Sequence, residues 1–179
     1  MPSPDRKTSP PTILVIMGVS GSGKTTIATR LAEKLDWKYR DGDEFHPAAN
    51  VEKMKNGVPL TDEDRWPWLE AIAAFIDEEL KRGEKTIVTC SALKRGYRDI
   101  LMDARKGVRL VYLKGDEALL AERLKKRHGH FMPSSLLQSQ FDALEEPGSD
   151  ENPLVVSVEG TPDEIVDEII LRLEITPSK

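Results

Sequence analysis

Short runs of β-branched and aliphatic residues alternate along the chain with longer stretches whose apolar positions recur every three or four residues. TILVIM (12–17) predicts a strand, and TTIATRLAEKL (25–35) predicts a helix with Ile27, Leu31 and Leu35 on one stripe. WKYRD (37–41) is a shorter strand, and PAANVEKMKNG (47–57) a short helix stopped by Asn56-Gly57. Residues 64–82 carry Leu69, Ile72, Ala73, Ile76 and Leu80 as a core-facing stripe, and Pro67 predicts that the regular helix starts close to it. KTIVTC (85–90), VRLVYLKG (108–115) and PLVVSVE (153–159) read as further strands. RGYRDILMDAR (95–105), a segment capped by Asp116, PSSLLQSQFDALE (133–145) and TPDEIVDEIILRLE (161–174) read as helices. Thr161 and Glu164 stand at capping-box spacing, with Pro162 at the first helical position. Five strands separated by helices predict an α/β fold, a parallel sheet covered on both faces.

The chain has 179 residues, enough for one domain, expected over 12–175. Its Pro- and Ser-rich first eleven residues and the last four, 176–179, read as disordered tails. The formal net charge is 26 − 31 = −5, a poor basis for general binding of nucleic acid or an anionic membrane. Any anionic ligand must be held by local cations. Cys90 is the lone cysteine, so an intrachain disulfide is excluded, and a structural zinc site is not expected. With no apolar run long enough to span a membrane and no secretory h-region, the expectation is a cytoplasmic protein.

GVSGSGKTT (18–26) lies between the first strand and the first helix, and Gly18, Gly23, Lys24 and Thr25 match G-x-x-x-x-G-K-[ST]. Glycines let the backbone turn so that successive N–H groups face inward as an anion nest. The helix adds its free N–H groups and positive end. The expected nucleotide contacts are Gly18, Ser20, Gly21, Ser22, Gly23, Lys24, Thr25 and Thr26, with Lys24 on the β- and γ-phosphates of ATP and the Thr25 hydroxyl on Mg²⁺. A Gly/Ser linker is the bland alternative, and the flanking strand and helix argue against it.

A motor or switch NTPase usually ends a hydrophobic strand in an acidic residue. Here TIVTC runs into Ser91 and VRLVYL into Lys114-Gly115; only WKYRDGD ends acidic, and no [NT]KxD segment is present. This favours a small-molecule phosphotransferase and makes RDGDEFHP (40–47) the second chemical centre. On an extended segment Asp41 and Asp43 point to the same side. Asp41 is then a metal-side carboxylate, and Asp43 accepts or orients a substrate hydroxyl proton. The same residues also fit a polar β-turn, in which Asp-Gly is common.

Taken together, MGVSGSGKTT, DGDEFHP, NVEKMKNGVPLTDEDRWPWL, CSALKRGYRD, VYLKG and HFMPSSLLQSQFDALEEP resemble the gluconate kinases of the small P-loop type, in order across most of 13–148. The resemblance implies ATP-dependent phosphorylation of D-gluconate to 6-phosphogluconate. It also implies a three-layer fold like that of shikimate and nucleoside monophosphate kinases, with sheet order 2-3-1-4-5, a helical lid and a homodimer. The runners-up are a kinase of another small hydroxy acid and a nucleotide-binding module without catalysis.

Gluconate is a carboxylate, so the acceptor site needs cations. Arg65 lies in the segment that the resemblance sets over the acceptor, although an exposed residue beside helix-capping acids is the plain alternative. Ser91, Lys94 and Arg98 follow the third strand, where parallel sheets bind ligands, and Lys94 and Arg98 are i,i+4. Arg123 and Arg127 have the same spacing within a lid expected over about 123–145, and clamp ATP when it closes. His46 stands beside the aspartates as a hydroxyl partner, with His128 and His130 weaker candidates. Trp66 and Trp68 read as packing, Cys90 as buried and unreactive, and VEGTPDE (158–164) as an adenine-side loop.

Overall fold

The computed structural model describes residues 10–126 and 134–177. Five strands are present: β1 (Ile13–Met17), β2 (Lys38–Asp41), β3 (Thr86–Thr89), β4 (Val108–Lys114) and β5 (Leu154–Ser157). They form one parallel sheet in the order β2-β3-β1-β4-β5, as expected. The helices are α1 (Lys24–Leu35), α2 (Ala48–Lys55), α3 (Asp62–Arg82), α4 (Arg95–Met102), α5 (Glu117–Lys126), α6 (Ser134–Ala143) and α7 (Pro162–Leu173).

β1 is central and wholly buried, and its side chains alternate between two cores. Leu14 and Ile16 join Ile27 and Leu31 of α1 and Ile165 and Ile169 of α7. Ile13, Val15 and Met17 join Leu69, Ile72 and Ile76 of α3 and Leu101 of α4. Burial on both faces explains why β1 reads as a continuous apolar run.

The start of α3 differs from expectation. It begins at Asp62, and Pro67 lies inside it. Thr61 Oγ1 accepts from Asp64 N at 3.2 Å, and Asp64 Oδ2 accepts from Thr61 N at 2.9 Å, a reciprocal capping box. This cap nucleates the turn that Pro67 follows, so only the bond to the Glu63 carbonyl is forgone. α4 ends at Met102, three residues early: Asp103 and Ala104 take positive φ, and Arg105 Nη1 donates to the Ile100 and Leu101 carbonyls at 2.8 and 3.1 Å. Asp116 caps α5 as expected, its Oδ1 accepting from Leu119 N at 2.8 Å. Thr161 caps α7 through Glu164 N at 3.2 Å.

Arg98 does not behave as the sequence suggests. Its side chain is 1% exposed, and its guanidinium faces inward. Nε and Nη2 donate to Glu151 at 2.7 and 3.3 Å, and Nη1 to the Ala92 and Leu93 carbonyls at 2.8 and 3.2 Å. The i,i+4 pairing with Lys94 fails because Lys94 is the N-cap of α4, pointing away from the face that packs on the short turn Ser149–Glu151. Arg98 is therefore an anchor between α4 and that turn, and it holds the loop that follows β3. Burial pushes the Glu151 carboxyl up, but Arg98 and the Gly148 N–H outweigh it and hold its pKa below the ordinary 4.5.

Removing Arg98 leaves Glu151 buried without its partner, so Arg98→Ala is expected to lose about 3–5 kcal/mol in urea unfolding at pH 7. Because the folded-state pKa of Glu151 is depressed, the pair stabilises fully above the ordinary value and fades as pH falls through the depressed one. The difference between wild type and variant should shrink on acidification. A loss under about 1 kcal/mol, or one independent of pH, contradicts this role.

Candidate phosphoryl-transfer site

The site is built on the carboxyl edge of the sheet. β1 ends at Met17, and the glycine loop carries the chain into α1. Gly21 and Gly23 take φ of 82° and 90°, which favours glycine over any residue with a side chain. Gly23 is the N-cap of α1, with no side-chain cap and no acidic residue in the first turn. The amino end of the helix is thus left for an anion. Lys24 Nζ donates to the Gly18 and Val19 carbonyls at 2.9 and 3.2 Å, lying across the loop. Ser22 Oγ is buried in the loop, without a hydrogen-bond partner among the described residues. A Cβ on Gly18 would come within 2.6 Å of that oxygen. An orphaned hydroxyl, glycine backbone and an uncapped helix end fit a polyphosphate.

α5 and α7 wall this loop. A cavity of about 340 Å³ is lined by Gly21, Ser22, Gly23 and Thr26, by Arg123 of α5, and by Gly160 and Pro162. Arg123 and, from the 158–164 loop, Gly160 and Pro162 thus face the same cavity as the glycine loop. Arg127, His128 and His130 lie outside the described residues. A larger hollow of about 490 Å³, on the outer face between α3 and α4, is lined by none of the expected site residues.

β2 delivers the two aspartates. They do not lie on one extended segment: Asp41 ends the strand and caps a short 3-10 turn, Gly42–Phe45, that contains Asp43. Asp41 Oδ1 accepts from Asp43 N at 2.9 Å, so the polar turn and the paired carboxylates coexist. Gly42 permits this placement, since a Cβ there would meet the Thr89 carbonyl oxygen at 2.2 Å. Trp68 Nε1 donates to Gly42 O at 2.7 Å and pins the turn from α3.

The Asp43 side chain is 80% exposed to solvent but stands in a crevice walled by protein. Those surroundings push its carboxyl above the ordinary 3.8, and the Asp41 carboxylate adds to the push, while His46 and Lys24 oppose it. His46 stacks on Trp68 at 4.2 Å, and its Nε2 lies 3.8 Å from Asp43 Oδ1. Asn50 Nδ2 donates to the Asp64 carbonyl at 2.8 Å and meets His46 Nδ1 at 3.2 Å. An amide nitrogen is only a donor, so Nδ1 accepts and the ring proton sits on Nε2, facing Asp43. Burial, with the nearby Arg65 charge, lowers the His46 pKa below 6.5 and keeps the ring neutral at pH 7.

Arg65 and Lys94 meet at Asp62 and Tyr97, at the starts of α3 and α4. Arg65 Nη1 donates to Tyr97 OH at 3.1 Å, and Lys94 Nζ to Asp62 Oδ1 at 3.2 Å. Ser91 follows the buried end of β3. Trp68 is buried and Trp66 packs edge-on against Tyr97, so both act in packing. Cys90 is buried and its thiol is raised to about 12, which removes it as a nucleophile.

Sequence reasoning missed Gln140. Its Oε1 accepts from Ser20 N at 2.7 Å and its Nε2 donates to Ser20 Oγ at 2.8 Å, joining α6 to the glycine loop across 120 residues. Asn50 and Tyr97 were also missed, although all three lie in the segments that carry the resemblance.

Among the described residues, no group of three His, Cys, Asp or Glu side chains could hold a metal by itself. Thr25 and Asp41 carry oxygen donors of the kind that Mg²⁺ takes when it is shared with substrate phosphates.

A family model described as an AAA domain matches residues 13–147. The chain is 50% identical over 164 residues to a gluconokinase of Gluconobacter oxydans, covering 92% of each. It is 48% identical to the thermosensitive gluconokinase of Escherichia coli, covering 79% of this chain and 75% of that one. A solved gluconokinase from Sinorhizobium meliloti superposes with a TM-score of 0.81 at 47% identity, covering 92% of this chain and 93% of that one. Shikimate kinase from Aquifex aeolicus, at 19% identity and a TM-score of 0.59 over 90% of this chain and 96% of that one, shares the fold. With half of 164 aligned residues identical to a relative matched along almost its whole length, and with a phosphate loop and an acidic β2 turn on one sheet edge, the chain belongs to the gluconokinase family of P-loop kinases.

Proposed function

We propose that the protein transfers the γ-phosphoryl group of ATP to D-gluconate, giving 6-phospho-D-gluconate. The observation that carries this is the meeting of two half-sites on one sheet edge: the glycine loop after β1 and the Asp41–Asp43 turn after β2 leave strands that flank β3 on either side. The acceptor hydroxyl and the transferring phosphoryl group need to be brought together in this way.

In this reading the backbone N–H groups of the loop and the amino end of α1 hold the phosphates, and Lys24 neutralises charge that grows on the transferring group. Asp43 orients the acceptor hydroxyl and takes its proton, and neutral His46, with its proton on Nε2, hydrogen-bonds the sugar beside it. Arg65 and Lys94 receive the carboxylate, with Ser91 at the same strand end. Arg123 closes on the nucleotide from α5, with Arg127 its expected partner. Thr25 and Asp41 would hold Mg²⁺, which when bound screens the phosphate charge. A cytoplasmic homodimer belongs to the same proposal. Among the described residues no helix is long and apolar enough to cross a membrane.

Release of ADP is the test, measured over gluconate, idonate, shikimate, glucose and nucleoside monophosphates. Gluconate should drive it. A charge-assisted hydrogen bond to a carboxylate is worth about 1.5–3 kcal/mol, so glucose should be poorer by roughly a hundredfold in kcat/KM. Arg65→Ala should narrow that gap by hurting gluconate more than glucose. Equal use of the two sugars by wild type contradicts the assignment, and preference for shikimate favours the runner-up kinase.

Asp43 works as a carboxylate, and its pKa is raised, so activity should fall on the acid side through a limb lying above the ordinary 3.8. Asp43→Asn should remove that limb and lower kcat far more than it weakens ATP binding. If the limb persists in the residual activity of Asp43→Asn, another group is the base.

A further inference from the structure

Three donors converge on one carboxylate of the chain itself. Asp62 Oδ1 accepts from Lys94 Nζ at 3.2 Å and, through a short hydrogen bond, from the hydroxyl of Tyr97. Arg65 Nη1 lies 3.9 Å from the same oxygen and donates to Tyr97 OH at 3.1 Å. Lys94 Nζ also reaches Asp62 Oδ2 at 3.4 Å. The ring of Tyr97 is buried, with the Arg65 guanidinium 5.5 Å and the Lys94 ammonium 5.7 Å from its centre. An ammonium, a guanidinium and a phenol around one oxygen make a cradle suited to a small carboxylate.

Asp62 is not required where it stands. The start of α3 is already satisfied by Thr61 and Asp64. The Asp62 side chain keeps 41% of its exposure, so its carboxylate can leave for water. The cradle is also joined to the acceptor side, because Asn50 bridges the carbonyl of Asp64, the residue before Arg65, at 2.8 Å and His46 Nδ1 at 3.2 Å, and His46 Nε2 faces Asp43.

We infer that Asp62 is an internal occupant of the acceptor-carboxylate cradle, holding Arg65, Lys94 and Tyr97 in place until the carboxylate of a sugar acid displaces it. The inference rests on the gluconate reading above and adds the competing ligand and the phenol donor to it. The exchange replaces one set of charge-assisted hydrogen bonds by another. A neutral sugar cannot make that exchange and leaves Asp62 seated.

A structural partner and an internal competitor respond to mutation with opposite sign. Asp62→Asn keeps the shape and removes the charge. As a competitor's loss, it should lower the gluconate KM and the calorimetric Kd by about tenfold, with the ATP KM unmoved. A raised or unchanged gluconate Kd in folded Asp62→Asn overturns the inference. Tyr97→Phe is the second variant, since it takes a donor from the cradle without touching the cap of α3. Made in the Asp62→Asn background, where no internal carboxylate shares the loss, it should raise the gluconate Kd and leave the glucose KM in place, and an unchanged gluconate Kd there overturns the role of the phenol. Wild-type ADP release with gluconate is measured first. If gluconate drives release and the Asp62→Asn affinity does not tighten, the occupant inference fails and the function stands. If gluconate drives none, both fail.

Discussion

An acidic chain that binds a polyphosphate has to assemble positive potential locally, and everything at the carboxyl edge of this sheet follows from that constraint. Alongside the side chains, backbone N–H groups contribute to it. The loop between β1 and α1 supplies them, and a glycine N-cap with no acid in the first turn of α1 keeps the helix end positive. Lys24 is the one cation built into that loop, and it already bridges the Gly18 and Val19 carbonyls, which places its ammonium beside the phosphate position. A loop so poor in side chains has little to hold its own shape. It is held instead by β1, buried on both faces, and by contacts from distant elements: Leu124 against Gly21, and Gln140 against Ser20.

The acceptor half is subject to a different constraint. Its carboxylates must come close to the phosphate loop without occupying it. Parallel pairing of β2 with β3, in register at Asp41 and Thr89, ends β2 beside the outer neighbour of β1. The tight passage of Gly42 over the Thr89 carbonyl then lets the chain enter the short turn that carries Asp43, capped by Asp41. α3 serves this arrangement along its first two turns. Asp62 and Arg65 meet Lys94 and Tyr97, and Trp68 both pins the turn and stacks under His46. The helix reaches Lys94 and Tyr97 only because it begins at Asp62, five residues ahead of its proline.

What was legible in the sequence had local causes. The strands show as β-branched runs because they are buried on both faces, and the glycine loop shows because its spacing is set by backbone geometry. α3 was misread at its start because Pro67 was weighed as a breaker, while the acids of TDED were read only as complementing a helix N-terminus and not, with Thr61, as a capping box that fixes the start at Asp62. Arg98 was misread because its partner Glu151 lies 53 residues away, and an arginine at i,i+4 from a lysine looks solvated until that partner arrives. Gln140 was missed for the same reason at greater separation. The expectation of two aspartates on an extended strand gave way to a capped turn, since Asp41 Oδ1 satisfies the Asp43 N–H. The chemistry of the site was thus readable in residue types, and its wiring only in three dimensions.

The account's central claim is that the glycine loop holds the phosphates for transfer while the rest of the fold stands independently of it. The direct measurement is single-turnover transfer from ATP to gluconate by Lys24→Ala, with circular dichroism and urea unfolding on the same sample. The account predicts a folded variant of near wild-type stability in which transfer falls by about a hundredfold or more, the loss of charge stabilisation at one preorganised donor. Near wild-type transfer by a folded Lys24→Ala protein would contradict it.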